Sequence, residues 1–286
     1  MTAEHSSFLT SERGHLLFTA AKYLVYFLLS CNVFLFLDEE LLALEHTFVD
    51  GFEPGELVQA FSATIDTAAW VLLLILFELE TSLLDDSLIK GPVKWALHGV
   101  RGVCYIAIVY AFTGYCAELV TLNQVSLMDV LNACSLVDEK FSLLLNLDEY
   151  MSLDAVNCAG VGTDVYRLIG FDIVADGDTL TAARWLAGTD VINAATWILV
   201  CVVLEVEVRL QLRGDLSDRI MGFSKFVKYV LYGILFVAAA YWGYAGDFLD
   251  FWDAALWLFA FIFIELNVFE WQQETTRAAA LEVTGS

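Results

Sequence analysis

Hydrophobic residues gather into six long runs along the chain, and segments rich in charged residues separate these runs. A helix needs about 20 apolar residues to cross the hydrocarbon core of a bilayer. Pro54 and Pro92 both fall between runs, so no proline interrupts a helix there. The pattern therefore predicts six transmembrane helices, at 17–37, 64–80, 95–117, 189–208, 226–246 and 251–269.

The spacing of the runs divides the chain into three parts. Residues 1–117 would hold the first three helices and an outer loop at 38–63. Residues 118–188 are long enough to form a small extracytoplasmic insertion, and residues 189–286 would hold the last three helices and a cytoplasmic tail. Within the insertion, 125–145 reads as helical and 165–174 as a strand, and Asp178 or Thr179 is the expected cap of the next helix.

Basic residues predict the orientation. Most of the 14 Lys and Arg residues lie before the first run, between the second and third, between the fourth and fifth, or after the sixth. The opposite side has only Lys140, Arg167 and Arg184. Cytoplasmic loops are enriched in Lys and Arg. We therefore expect a multi-pass protein of the plasma (inner) membrane with both termini in the cytoplasm.

The second, fourth and sixth runs share one spacing of polar and aromatic residues. An Asp or Asn precedes a Trp by four positions, and a Glu follows that Trp by eight positions. The members are Asp66, Trp70 and Glu78; Asn193, Trp197 and Glu205; and Asp253, Trp257 and Glu265. A second polar residue follows each Trp by ten positions: Glu80, Glu207 and Asn267. The recurrence predicts an all-α membrane protein of three pseudo-repeated helical hairpins with pseudo-threefold symmetry.

A lysine near the cytoplasmic end of each odd-numbered run supports this repeat. Lys22 and Lys228 lie in matching Lys-Tyr-x-x-Tyr segments, and Lys94 is the weaker third member. Twelve residues separate Asp66 from Glu78, which is about 18 Å of helix. Glu78 therefore falls at a depth that Lys22 can reach.

Two interpretations of the glutamates remain open. In the first, Glu78, Glu205 and Glu265 converge on the pseudo-threefold axis as an intramembrane cation or proton pathway. Alternatively, each Glu pairs with Lys22, Lys94 or Lys228 and the pairs staple the bundle. In the first interpretation Asp66, Asn193 and Asp253 form an outer polar ring, and the three tryptophans line or pack between the two levels.

Cysteines of the insertion predict a disulfide. Cys134 and Cys158 lie on the expected oxidising side of the membrane and can pair with each other. Cys116 is the alternative partner for one of them. We find no Cys-x-x-Cys or Cys/His cluster, so we expect no metal site of the zinc type.

Composition and charge narrow the function. Hydrophobic residues make up 59% of the chain and charged residues 18%, and the net charge is −23. A nucleic-acid partner is disfavoured because phosphate binding needs a basic patch. The chain also lacks the common catalytic motifs and the paired histidines of a haem site, so we expect no enzyme and no cofactor.

A cation or proton channel or transporter is thus the leading hypothesis. The alternative is a non-transporting scaffold or accessory subunit that docks a partner through its acidic outer face. The expected partners are the lipid bilayer, cations, and either a second copy of the chain or another membrane subunit.

Overall fold

Helices dominate the computed structural model, which describes residues 12–48, 57–80, 90–213, 218–261 and 263. A small β-sheet lies between the third and fourth long helices. The helices are α1 (Glu12–Thr47), α2 (Leu57–Ala60), α3 (Ser62–Glu78), α4 (Pro92–Asn123), α5 (Gly177–Arg213) and α6 (Asp218–Ala245), followed by α7 (248–261). Where the structure describes them, the six predicted spans fall largely on helices.

Four of these helices are long and apolar enough to cross a membrane. The qualifying segments are Leu16–Thr47, Pro92–Asn123, Gly177–Glu207 and Arg219–Ala245. Helix α3 has 17 residues, and the described part of α7 is shorter still. By length and composition, the described residues thus contain four membrane-length helices rather than six.

Helix α1 is longer than the sequence pattern predicts. It continues through Thr47, so the first ten residues of the predicted outer loop 38–63 are helical, and that part of the prediction is wrong. No glycine or proline lies between residues 16 and 47 to end the helix. The Glu40 carboxylate accepts N–H groups from Ala63 at 2.7 Å and from Thr64 at 3.3 Å. It thereby fixes α1 to the first turn of α3, where helix N–H groups lack partners.

The insertion is a five-stranded sheet rather than a helix and a strand. Its strand order is β1-β4-β5-β2-β3, with antiparallel pairs except for the parallel pair β2–β5. The helix expected at 125–145 is wrong, because a short apolar run does not distinguish helix from strand and sheet pairing decides here. The strands are β1 (Val125–Leu127), β2 (Ser142–Leu144), β3 (Tyr150–Ser152), β4 (Val165–Leu168) and β5 (Ile173–Asp176).

Long helices run directly into this sheet. Helix α4 continues to Asn123 and α5 begins at Gly177, so the sheet occupies less of the chain than the predicted insertion 118–188. The cap of α5 is Asp176, whose Oδ1 accepts the Thr179 N–H at 2.7 Å, rather than Asp178 or Thr179. The Arg184 guanidinium donates to the Leu122 carbonyl at 2.9 Å and ties α5 to the end of α4.

Short helix α2 packs tightly against α4. A Cβ at Gly114 would lie 2.4 Å from the Val58 carbonyl oxygen and 2.9 Å from Ser62 Cβ. Only glycine therefore permits this approach. A hydrogen bond from Gln59 Nε2 to Thr121 Oγ1 at 3.2 Å holds the same two helices together.

We predict that Gly114→Ala lowers the stability of the protein in detergent, because the added methyl group overpacks the α2–α4 contact. Overpacking typically costs about 1–3 kcal/mol. Thermal unfolding checks the effect. Gly102→Ala on the same helix is the matched control, since a Cβ there meets nothing within 4 Å. An equal loss of stability in both variants would contradict the packing argument.

Candidate functional site

Three tryptophans meet at the centre of the helical bundle. The ring centroids of Trp70, Trp197 and Trp257 lie 6.3 Å, 6.4 Å and 6.4 Å apart, so they form a nearly equilateral triangle. One ring comes from each of α3, α5 and α7, and Leu29 and Leu235 belong to the same buried cluster. We call this triangle the tryptophan layer.

A small polar cavity lies directly against the tryptophan layer. It has a volume of about 40 Å³, and its lining includes Trp197, Trp257 and all three residues of the predicted polar ring, Asp66, Asn193 and Asp253. One turn of helix separates each acidic residue from its Trp. Accordingly, Trp70 Nε1 donates to Asp66 Oδ1 at 3.1 Å. The structure thus brings the ring residues together, and we call this space the inner cavity.

A larger cavity of about 80 Å³ lies next to the inner one, and Leu168 and Ile173 of the insertion are part of its lining. We call it the outer cavity. Both cavities share Phe36, Tyr115, Asp190 and Asp250 in their linings. The outer cavity is also lined by carboxylates from α1, from α4 and from the turn between β2 and β3: Glu39, Glu40, Glu118 and Asp148. No Lys, Arg or His is among the described residues that line either space.

The donors that hold these carboxylates in place are neutral. Besides the Trp70 indole on Asp66, the Asn32 amide donates to Asp253 Oδ1 at 2.7 Å. The Trp242 indole donates to Asp190 Oδ1 at 3.1 Å. A carboxylate removed from bulk water needs a counter-charge or a proton. Neutral donors orient these groups but leave their negative charge to be balanced by something else.

Three carboxylates beside the outer cavity, two of which line it, have the geometry of a cation site, and we call this group the mouth. Ligand oxygens of Asp148, Asp247 and Asp250 lie within 4.8 Å of one another. Asp148 comes from the insertion, whereas Asp247 and Asp250 follow the sharp turn at Gly246, whose φ of 92° favours glycine. Carboxylate oxygens are the ligands that hard cations such as Ca²⁺ and Mg²⁺ prefer. The sequence-based expectation of no metal site considered only zinc-type clusters.

Proton affinity is raised at this mouth. Burial raises the pKa of the Asp148 carboxyl well above its usual range, and the negative charges of Glu118 and Glu39 raise it further. Burial also raises the pKa of the Asp247 carboxyl. Both groups therefore bind a proton more readily than an exposed aspartate does.

Glu78 lies on the far side of the tryptophan layer, and it is paired. Lys22 Nζ donates to Glu78 Oε1 at 2.7 Å, and both side chains are less than a tenth exposed. The Tyr23 hydroxyl donates to the same oxygen at 3.0 Å. Of the predicted glutamates, Glu78 therefore has the geometry of the staple interpretation.

The other two glutamates do not join Glu78 in the described structure. Glu205 is more than half exposed and pairs with Arg209 at 2.8 Å, one turn along the same helix. Glu265 lies outside the described residues. Glu205 therefore lies on an exposed face of α5, and its partner is Arg209 rather than one of the lysines that the staple interpretation offered.

Two other basic side chains form ion pairs with the second polar residue of the repeat. Lys228 pairs with Glu207 at 2.8 Å, and Arg101 pairs with Glu80. Both pairs join residues that lie 21 positions apart in the sequence.

Lys94 is exposed and forms no ion pair with a described residue. Arg101 thus occupies the place that the sequence analysis gave to Lys94. The Arg101-Gly-Val-Cys-Tyr105 segment also matches the Lys-x-x-x-Tyr pattern of Lys22 and Lys228.

The insertion contains the predicted disulfide. Cys134 and Cys158 are joined, with their Cα atoms 4.9 Å apart, and Cys116 is a free thiol. The disulfide connects two short 3-10 turns, Ala133–Glu139 and Cys158–Gly160.

Sequence reasoning did not single out the residues that line the outer cavity. The sequence analysis treated Glu118, Asp148 and Asp190 only as part of the acidic outer face. One signal was present, because Glu118 and Asp190 lie at the ends of predicted spans, where an acidic residue is costly unless it faces water or a partner.

We predict that the folded protein loses stability as the pH rises, when no divalent cation is present. The folded state holds the Asp148 proton more tightly than the unfolded chain does, because burial raises the pKa of this carboxyl. Its contribution is therefore fully present below the ordinary Asp pKa and is lost as the pH rises through the raised value. Added Ca²⁺ should reduce the loss by balancing the ionised groups.

Melting temperatures in detergent at pH 5 and pH 8, with and without Ca²⁺, check this. Asp148→Asn should flatten the dependence on both pH and Ca²⁺, because the amide stays neutral. Asp164→Asn changes an exposed carboxylate of the same sheet and should behave like the unchanged protein. A Ca²⁺ effect that survives Asp148→Asn in full would contradict the assignment.

Comparisons with protein-family models, with curated proteins and with solved structures returned no match. The function of the chain is therefore argued from its own geometry and chemistry.

Proposed function

We propose that this chain is an integral membrane protein of the channel or transporter class that takes up cations through the outer and inner cavities. Its six long helices would cross the membrane as three pseudo-repeated hairpins, α1–α3, α4–α5 and α6–α7. The nearly equilateral tryptophan layer supports this arrangement, because one ring comes from the second helix of each hairpin.

Exposed apolar surface supports embedding in a bilayer. Ile106 on α4 is 72% exposed, and Tyr229 and Phe236 on α6 are 76% and 66% exposed. A soluble protein rarely exposes large continuous apolar patches, whereas lipid tails accommodate such a surface. The positive-inside rule then places both termini in the cytoplasm and the insertion outside.

The observation that carries the proposal is the set of carboxylates in two neighbouring cavities whose described lining contains no basic residue. Such a space has a negative potential, and cations are concentrated in it. The volumes, about 40 Å³ and 80 Å³, exceed the ~15 Å³ that one water molecule needs. A cation and some of its hydration water therefore fit.

The proposed route gives the order in which a cation meets these residues. A cation arriving from the insertion side first meets Asp148, Asp247 and Asp250 at the mouth. It then reaches Asp66 and Asp253 in the inner cavity and stops at the tryptophan layer. In this proposal the three packed rings close the route, and conduction requires them to move apart. Hydrophobic constrictions of this kind are a known form of channel gate.

Flux into proteoliposomes tests the proposal. We predict that the purified full-length protein mediates the uptake of ⁸⁶Rb⁺ or Mn²⁺, and that the double variant Asp66→Asn/Asp253→Asn reduces uptake at least about tenfold. A tenfold loss corresponds to about 1.4 kcal/mol of lost cation stabilisation. Both substitutions keep the size of the side chain, so the fold should survive, and size-exclusion chromatography and melting temperature verify this.

The matched control is Glu205→Gln, which removes an exposed repeat carboxylate outside the cavities. It should leave uptake unchanged. If Glu205→Gln abolishes uptake while the double variant retains it, the cavity assignment is wrong. If the unchanged protein takes up neither ion, transport itself is wrong.

A scaffold that docks a partner through its insertion is the second candidate. Leu131 is 95% exposed and Val156 is 86% exposed, and each lies within three residues of a disulfide cysteine. Exposed apolar residues of this kind, surrounded by acidic surface, suit contact with another protein. Absent flux for both ions would favour this candidate.

A further inference from the structure

The buried pair of Lys22 and Glu78 differs from the other ion pairs of the described residues. The side chains of Lys22 and Glu78 are 8% and 5% exposed. The Lys228–Glu207 pair, by comparison, has side chains 19% and 20% exposed. A buried ion pair is often no more stable than a well-packed apolar pair, because both charges lose their hydration. Packing alone therefore does not explain why a charged pair stands at this place.

Glu78 also keeps an unused ligand atom. Its Oε2 is buried without a hydrogen-bond partner among the described residues, whereas Oε1 accepts from both Lys22 and Tyr23. The Tyr26 hydroxyl is likewise buried without a hydrogen-bond partner among the described residues. Its ring lies 6.2 Å from the Tyr23 ring and packs in the same cluster as the tryptophan layer. A carboxylate with a free oxygen and two neighbouring phenols is an oxygen site for a cation.

The repeat explains why Lys22 is available for Glu78. The basic residues of the second and third hairpins pair with the second polar position of the preceding hairpin, Glu80 and Glu207. The corresponding residue of the third hairpin is Asn267, which has no charge to offer a lysine. Lys22 pairs instead with Glu78, and both side chains of this pair are buried.

We propose that Glu78, Tyr23 and Tyr26 form a monovalent-cation site beyond the tryptophan layer, and that the Lys22 ammonium occupies it as a tethered cation. This inference rests on the proposed function, because it makes the pair the closed far end of the same cation route. A single carboxylate balances a single positive charge, so the site suits Na⁺ or K⁺ rather than the divalent ions that suit the mouth. An ion that passes the tryptophan layer would have to displace the ammonium to leave.

Lys22→Met tests the site, because methionine keeps much of the apolar stem and removes the charge. The melting temperature of this variant in detergent should be well below that of the unchanged protein in choline chloride. It should rise with increasing NaCl or KCl at constant ionic strength, since a ligand that binds only the folded state stabilises it by mass action. Choline is too large to replace the ammonium.

Two further variants separate a cation site from a structural staple. Lys22→Met/Glu78→Gln should be insensitive to Na⁺, because no charge remains to attract it. Lys228→Met, which breaks the less buried pair at Glu207, should show no difference between NaCl and choline chloride. A melting temperature of Lys22→Met that does not respond to Na⁺ or K⁺, or an equal response in Lys228→Met, would overturn the site.

Flux measures the closing role separately. Lys22→Met should take up ⁸⁶Rb⁺ several-fold faster than the unchanged protein, and an unchanged rate would overturn that role. The Na⁺ effect on melting needs no transport. A protein that carries no ion while Lys22→Met still responds to Na⁺ would therefore refute the proposed function and leave the site standing.

Discussion

Negative charge enclosed above the tryptophan layer is the constraint on which the rest of this structure depends. Asp66, Asp190 and Asp253 are held by an indole or an amide, and none of these donors carries charge. Ionised groups in such a place are unstable until a proton or a cation balances them. The cavities, the connection of α1 to α3 through Glu40, and the sheet residues that line the outer cavity all arrange this charge. In the proposed function, a bound cation would balance it.

The tryptophan layer divides the bundle into two electrostatic zones. On the insertion side, carboxylates share cavities that have no basic residue in their described lining. On the other side, Glu78, Glu80 and Glu207 each have a cationic partner. The first zone attracts cations and the second is already balanced. This asymmetry is what a protein needs if cations are to enter from one side and be held before the far end opens.

The sequence predicted the tryptophan layer and the inner polar ring better than it predicted their surroundings. An Asx residue one turn before a Trp is a local relation, so Asp66 with Trp70 and Asp253 with Trp257 could be found by spacing alone. Lys94 was chosen as the basic residue of the second hairpin because its sequence context resembles that of Arg101. The two residues lie about two helical turns apart, and an aromatic residue follows each of them by four positions. The outer cavity was harder to predict, since the sheet carries Asp148 towards Glu118 and Asp190, and no local pattern reveals the pairing of that sheet.

Anomalous diffraction from crystals of the full-length protein grown with Mn²⁺ tests the central claim most directly, because it locates bound cations without assuming transport. The account predicts anomalous peaks at the two neighbouring cavities, at Asp148, Asp247 and Asp250 and in the inner cavity between Asp66 and Asp253. Peaks confined to exposed carboxylates such as Glu205 and Asp164, with none in either cavity, would contradict it.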